Sequence, residues 1–224
     1  MNIPVSPGAD ESAMPCGSLS HPRAAWIAAE IPLVLDCIHD EAVHLALWQR
    51  ARPASLDWLD ALDLDEIDDL QETFPVVDLT VSIPAALRDA GYPDDGRAAT
   101  LAEEISTQAR LFARIMQSDA VRIRLEIVET DACRKFHMDN VRARMIIPLT
   151  EPGTEWIEVA CGQDASVRRL RAGNLGLFKG RIWAEEPAIL HRSPPIAGTG
   201  ISRLLLVLDL PFPALPSPMP PETF

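Results

Sequence analysis

The chain is short of positive charge. It carries 20 Lys and Arg against 33 Asp and Glu, a net charge of −13. A chain so acidic lacks the basic face that grips nucleic-acid phosphates, so no nucleic-acid partner is expected. Cysteine is scarce: Cys16, Cys37, Cys133 and Cys161 form neither a CxxC pair nor a zinc-finger spacing. Four scattered cysteines in a chain of this length read as reduced thiols rather than a disulfide framework. Residues 1–22 hold no basic segment followed by an apolar run, and no apolar stretch approaches the length of a membrane span. The expectation is a soluble, cytoplasmic protein. The sequence also has no GxSxG elbow, no GxxxxGK phosphate loop, no GxGxxG and no glycine-centred calcium loop, which removes the commonest hydrolase, nucleotide and EF-hand readings.

What the sequence does have is enough apolar material for a core. It is 47% hydrophobic over 224 residues, with a mean hydropathy of +0.04. This suits one large domain. Pro, Ser and Gly crowd residues 1–22, where a disordered tail is expected. Prolines crowd residues 211–224 and bar any extension of a sheet. The domain is expected over 23–210, and its charge is uneven. Residues 121–210 carry 13 Arg and Lys against 11 Asp and Glu, whereas the rest carries 7 against 22. A near-neutral second half leaves room for an arginine pocket that takes a small anion.

Residues 23–120 read as mainly helical support. A strand is expected over 31–35 and a helix over 41–50 capped by Asp40. A helix or helix pair with a solvated acidic face is expected over 56–74, and a strand over 74–83, limited by Pro75 and Pro84. A core helix is expected over 98–117, with Leu101, Ile105, Phe112, Ile115 and Met116 as its apolar stripe. From Val121 the texture changes. Residues 121–130 alternate polar and apolar, and short extended segments follow at 137–149, 155–160, 167–170, 174–179, 188–191 and 201–210. Short strands with turn signals between them argue for a sandwich or barrel, hence an α+β fold with the β-core at 121–210.

The chemistry-bearing stretch is Phe136–His137–Met138–Asp139–Asn140. On an extended segment His137 and Asp139 point the same way and make a pair of metal ligands. His191 follows 54 residues on, and Arg203 12 residues after that. Two imidazoles and one carboxylate with open positions opposite suit non-haem Fe(II), and Zn(II) or Ni(II) would bind the same ligands more tightly. If 137–149 is one strand, Arg142 and Arg144 face away from His137 and Asp139. On the last strand Arg203, Leu205, Val207 and Asp209 share a face. An arginine buried among leucines needs an anionic partner, from the protein or from a substrate. His39 and His44 flank a helix start and read as capping or surface residues. Cys133 reads as a small core or site-wall residue, and Trp156 as packing at the barrel rim.

In this order, on this barrel, His137-x-Asp139, His191 and Arg203 resemble the 2-oxoglutarate/Fe(II)-dependent dioxygenase superfamily. The resemblance implies a double-stranded β-helix of jelly-roll or cupin-like type. It further implies Fe(II) on His137, Asp139 and His191, and the distal carboxylate of 2-oxoglutarate on Arg203. The implied reaction is oxidative decarboxylation of 2-oxoglutarate by O2 to succinate and CO2, coupled to hydroxylation of a substrate C–H bond. Lys179, Arg144, Arg192 and Asn140 are candidates for orienting the cosubstrate or the ligands. Four separated blocks are similar to the bacterial DUF1826 family: Phe136 to Val141, Gly153 to Trp156, Gly176 to Gly180 and His191 to Pro195. That resemblance leaves open a second reading, a non-catalytic metal-binding protein linked to zinc homeostasis. The substrate, small molecule or protein, is not specified by any of these residues.

Overall fold

The computed structural model describes residues 24–130 and 133–211. Apart from Pro211, the tails expected at 1–22 and 211–224 lie outside the described residues.

The last strand organises the fold. β10 (Arg203–Asp209) is an apolar run bounded by two charges, and all seven residues are buried. A strand buried on both faces must lie inside a sheet with layers on either side. β10 pairs antiparallel with β4 (Ala120–Val128) and with β5 (Ala143–Pro148). The seven-stranded sheet is completed by β1 (Trp26–Ala29), β2 (Leu45–Trp48), β3 (Leu70–Pro75) and β8 (Leu175–Lys179). Its order is β1-β2-β8-β5-β10-β4-β3, with only β1 and β2 parallel. A three-stranded sheet has the order β7-β6-β9, from β6 (Glu155–Glu158), β7 (Arg168–Arg169) and β9 (Ile189–Arg192).

The side-chain alternation of the large sheet makes three layers. Val121, Ile123, Leu125, Met145, Ile147, Leu204, Leu206 and Leu208 turn one way, onto α1 (Leu79–Asp89) and α2 (Gly96–Met116). Leu45, Leu47, Ile146, Phe178, Leu205 and Val207 turn the other way and pack on Trp156, Leu170 and Ile189 of the small sheet's layer. The molecule is therefore mixed α+β, with a large sheet and few helices. The space between the two sheets has an apolar middle.

α2 matches expectation closely. Asp95 caps it by accepting from the Arg97 N–H at 2.8 Å, and Gln117 ends it with φ of 54°. Elsewhere the first half departs from the sequence reading. Residues 32–39 form a 3-10 helix, not a strand, because Pro32 presets the first turn and Val34, Leu35, Cys37 and Ile38 then bury together. The helix expected at 41–50 is the strand β2. Its apolar residues face both layers, so they carry no alternation to betray a strand. The acidic stretch is two 3-10 helices, Ala54–Ala61 and Leu64–Glu66, that bury Leu56 and Leu59, followed by β3. The strand expected at 74–83 ends at Pro75. The chain then turns into α1, where Leu79, Ile83 and Leu87 form a buried i, i+4, i+8 stripe despite Pro84. Cys133 and Cys161 are free and exposed. Among the described residues no helix is long and apolar enough to cross a membrane.

Candidate metal centre

The His-x-Asp segment is not the start of a long strand. His137 makes an isolated antiparallel bridge with His191, each backbone N–H donating to the other's carbonyl at 3.0 Å. The chain then bends, and β5 begins only at Ala143. Residues 180–182 pin that bend. The N–H groups of Gly180, Arg181 and Ile182 donate to the carbonyls of Arg142, Asp139 and Val141 at 2.9, 2.9 and 3.1 Å. The block Gly176 to Gly180 thus acts as a brace for the metal segment. A Cβ at Gly180 would lie 2.1 Å from the Val141 carbonyl oxygen.

The bend brings three ligand atoms together. One atom each from His137, Asp139 and His191 lies within 4.8 Å of the others. His137 Nδ1 is 2.8 Å from the Lys135 carbonyl oxygen, so in the neutral ring Nδ1 carries the proton and Nε2 keeps its lone pair for a metal, while the Asp139 carboxylate raises the ring's pKa. His191 is buried on β9, against the rings of His137 and Phe178 at 4.7 and 4.8 Å. Burial lowers its pKa and keeps it neutral, as a ligand must be. His191 Nε2 stands 3.1 Å from Asp139 Oδ2, yet Oδ2 is buried with no hydrogen bond. Burial opposes ionisation of Asp139, but the two imidazoles and the Arg144 guanidinium outweigh it and hold the carboxyl far below the usual carboxylate range. A buried carboxylate oxygen without a hydrogen bond, 3.1 Å from one imidazole nitrogen while the other imidazole stands 3.6 Å from its fellow oxygen, is what a divalent cation satisfies. The donor set fits Fe(II) or another borderline divalent ion.

A cavity of about 220 Å³ opens from these ligands between the sheets, and its wall includes Arg124, Arg144, Ser193, Arg203, Leu205 and Val207. Arg203 is 1% exposed. Its Nη2 donates to Ser193 Oγ at 2.9 Å, and its Nη1 reaches the Pro152 carbonyl oxygen at 3.2 Å and Thr154 Oγ1 at 3.5 Å. Nε has no partner, and Glu126 and Glu151 act on the guanidinium through space rather than by a hydrogen bond. Burial pushes its pKa down to about 10. The blocks Gly153 to Trp156 and His191 to Pro195 meet here, since they supply Thr154 and Ser193.

The remaining candidates divide. Arg144 faces into the site, not away from it, because the bend at 140–142 breaks the period of two. Its Nη1 is 2.6 Å from Asp139 Oδ1. Arg192 pairs with Glu155 at 2.8 Å and stacks on Phe136 at 4.3 Å, bracing the residue before His137. Asn140 is exposed and is not part of the cavity wall. Lys179 is on the helix side of the sheet, opposite Ala143. Its Nζ donates to the carbonyls of Asp40 and Glu41 at 2.6 and 3.3 Å and lies 5.2 Å from the Trp183 ring. Lys179→Met is therefore expected to cost about 1–3 kcal/mol of stability and to leave metal affinity unchanged, as denaturant melts and metal titration would read. His39 Nε2 lies 2.9 Å from the Ile115 carbonyl oxygen, and neither His39 nor His44 joins the metal cluster. Cys133 is on the cavity wall. Trp156 is not at a rim; it is 2% exposed in the core between the sheets, edge-on to Trp26. Sequence reasoning gave no role to Arg124, Thr154 or Asp209. The alternation of the last strand does place Asp209 on the Arg203 face, but nothing in the sequence names its partner.

These features define a mixed α+β protein with a candidate His-Asp-His metal centre and a buried arginine in one cavity. The chain belongs to the DUF1826 family, whose model, described as a protein of unknown function (DUF1826), matches residues 29–209. No curated protein matches the sequence. Among solved structures, the chain is similar to an oxidoreductase of the 2OG-Fe(II) oxygenase family from Burkholderia pseudomallei, at 13% identity and a TM-score of 0.42, over 80% of this chain and 89% of that one. It is similar to a Pseudomonas putida prolyl-4-hydroxylase at 14% identity and a TM-score of 0.46, over 81% and 99%. A rice dioxygenase for auxin oxidation follows at 15% identity and 0.40, over 72% and 68%. Likeness at this level carries no residue role across, so the chemistry rests on the side chains themselves.

Proposed function

We propose that the protein is an Fe(II)- and 2-oxoglutarate-dependent oxygenase, its two facing sheets forming the halves of a double-stranded β-helix. One observation carries the step from metal binding to oxygenase: Arg203 is buried in the cavity wall without a carboxylate partner. An unpaired cation in a protein interior is costly unless something neutralises it. An anionic ligand group entering the cavity supplies that charge, and a metal-binding protein with no cosubstrate has no use for it.

The residues divide the work. His137, Asp139 and His191 would hold the iron, leaving three positions open for ligands. Arg203 would take the distal carboxylate of 2-oxoglutarate, with the Thr154 and Ser193 hydroxyls beside it. Ser193 lies two residues beyond His191 on the same extended chain, a span of about 7 Å, which suits a short dicarboxylic acid lying between metal and arginine. Leu205 and Val207 form an apolar wall along that path and exclude water from it. With iron and 2-oxoglutarate bound, O2 would be the oxidant: one of its oxygen atoms would go into the succinate formed as the keto acid loses CO2, and the other into the hydroxyl group of the substrate.

Anaerobic titration of the Fe(II)-loaded protein with 2-oxoglutarate tests the reading. The expected result is one metal per chain and a visible charge-transfer absorption that saturates with 2-oxoglutarate, both lost in His137→Ala. A protein that binds divalent metal but shows no 2-oxoglutarate-dependent absorption or calorimetric heat would be a metal-binding protein and not an oxygenase.

A further inference from the structure

We propose that Arg144 is a positioning residue that lets Asp139 reach the metal through one oxygen only, and that Asp209 holds Arg144 in that pose. The inference rests on the metal reading above and concerns what sets the number of open coordination positions.

The guanidinium of Arg144 is divided between two carboxylates. Nε and Nη2 donate to Asp209 Oδ1 and Oδ2 at 2.8 and 3.0 Å, a bidentate fork. The third nitrogen, Nη1, is left for Asp139 Oδ1 at 2.6 Å. Asp209 is 2% exposed and lies directly opposite Arg144 in the β5–β10 ladder, so the fork is fixed by register. Arg124 backs it, with Nη2 3.3 Å from Asp209 Oδ2, and itself pairs with Glu126 at 2.5 Å. A row of alternating charges thus runs from the metal ligand to the cavity wall: Asp139, Arg144, Asp209, Arg124, Glu126.

The consequence lies at Asp139. Arg144 occupies Oδ1, and Oδ2 is the oxygen that is buried without a hydrogen bond and turned toward His191. A free carboxylate can chelate a metal through both oxygens and so fill two positions. With one oxygen held by a cation, chelation through both oxygens is disfavoured and Asp139 offers the other. The site then keeps three open positions rather than two, the number that a bidentate keto acid and a third small ligand require. Only a planar group with nitrogens in fixed directions can serve both carboxylates, so lysine cannot replace Arg144. Residues behind metal ligands are commonly worth 10–100-fold in affinity.

The test uses Co(II), whose visible spectrum reports coordination number, on wild type, Asp209→Asn and Arg144→Lys. The expected result is that both variants bind Co(II) about tenfold or more weakly, with altered visible band intensities, although Asp209 touches no metal. Circular dichroism melts identify any variant that fails to fold. A crystal structure of the Co(II)-loaded wild type gives an answer without variants, since Asp139 should bind through Oδ2 alone with Arg144 still on Oδ1. Chelation by both oxygens, or folded variants with unchanged affinity and spectrum, would overturn the inference while leaving the metal reading intact. A wild type that binds no divalent metal would overturn the metal reading itself.

Discussion

Arg203→Met should abolish most 2-oxoglutarate binding while leaving the stability of the apo protein nearly unchanged. The two effects have one cause. Losing a buried charge pair to a ligand costs about 2–5 kcal/mol, roughly 30-fold to several thousandfold in affinity. In the apo protein, however, the same guanidinium is desolvated, and burial drives its pKa down against the through-space pull of Glu126 and Glu151. Replacing such a group with an apolar side chain of similar length is often neutral or stabilising. The loss of its contacts with Ser193, Thr154 and the Pro152 carbonyl works against that gain, so the expected shift in unfolding free energy is within about 1 kcal/mol. Arg203→Lys should keep the charge but lose the fork, and recover only part of the affinity. Calorimetric titration of 2-oxoglutarate into the metal-loaded proteins, beside denaturant melts of the apo proteins, checks both halves. Unchanged 2-oxoglutarate affinity in Arg203→Met would remove Arg203 from the cosubstrate site. A large loss of stability would mean that it is a structural residue.

The second half of the fold is legible because its strands carry local signatures. β4 alternates charge and aliphatic residue from Val121 to Ile127, and β10 is an apolar run closed by Arg203 and Asp209. The first half was misread where burial is two-sided or where proline misleads. β2 has apolar residues toward both layers, so neither period shows. Pro84 reads as a strand breaker, yet α1 tolerates it because Leu79, Ile83 and Leu87 bury against α2. The candidate triad is legible from spacing together with the family resemblance, and the structure brings its three side chains together. The environment of the triad is not. Lys179 shares a block with the site but is on the opposite face of the sheet, and Arg144 was assigned to the wrong face because a bend shifts the period by one. That bend depends on backbone hydrogen bonds from residues 180–182, some forty positions away, and long-range pairing of this kind leaves no local pattern in a single sequence.

The same bend yields the second large effect. Gly180→Ala should weaken metal binding although Gly180 is not a ligand. The added Cβ would lie 2.1 Å from the Val141 carbonyl oxygen and 2.8 Å from its carbon. That neighbour is backbone and cannot rotate aside, so the two segments must part by an ångström or so. Overpacking of this kind costs about 1–3 kcal/mol. The separation would strain the three hydrogen bonds that hold residues 139–142, including the one from the Arg181 N–H to the Asp139 carbonyl. Asp139 would then shift relative to His191, which is anchored independently in the small sheet through its pairing with Trp156. Metal ligands misplaced by this much lose affinity on the order of the 10–100-fold seen when supporting residues are removed. Gly96→Ala is the control, because a Cβ there meets nothing within 4 Å, and restricting the unfolded chain should stabilise by up to about 1 kcal/mol. Parallel metal titrations and denaturant melts of the two variants decide the matter. If Gly180→Ala is destabilised but binds metal as tightly as wild type, the brace supports the fold and not the centre.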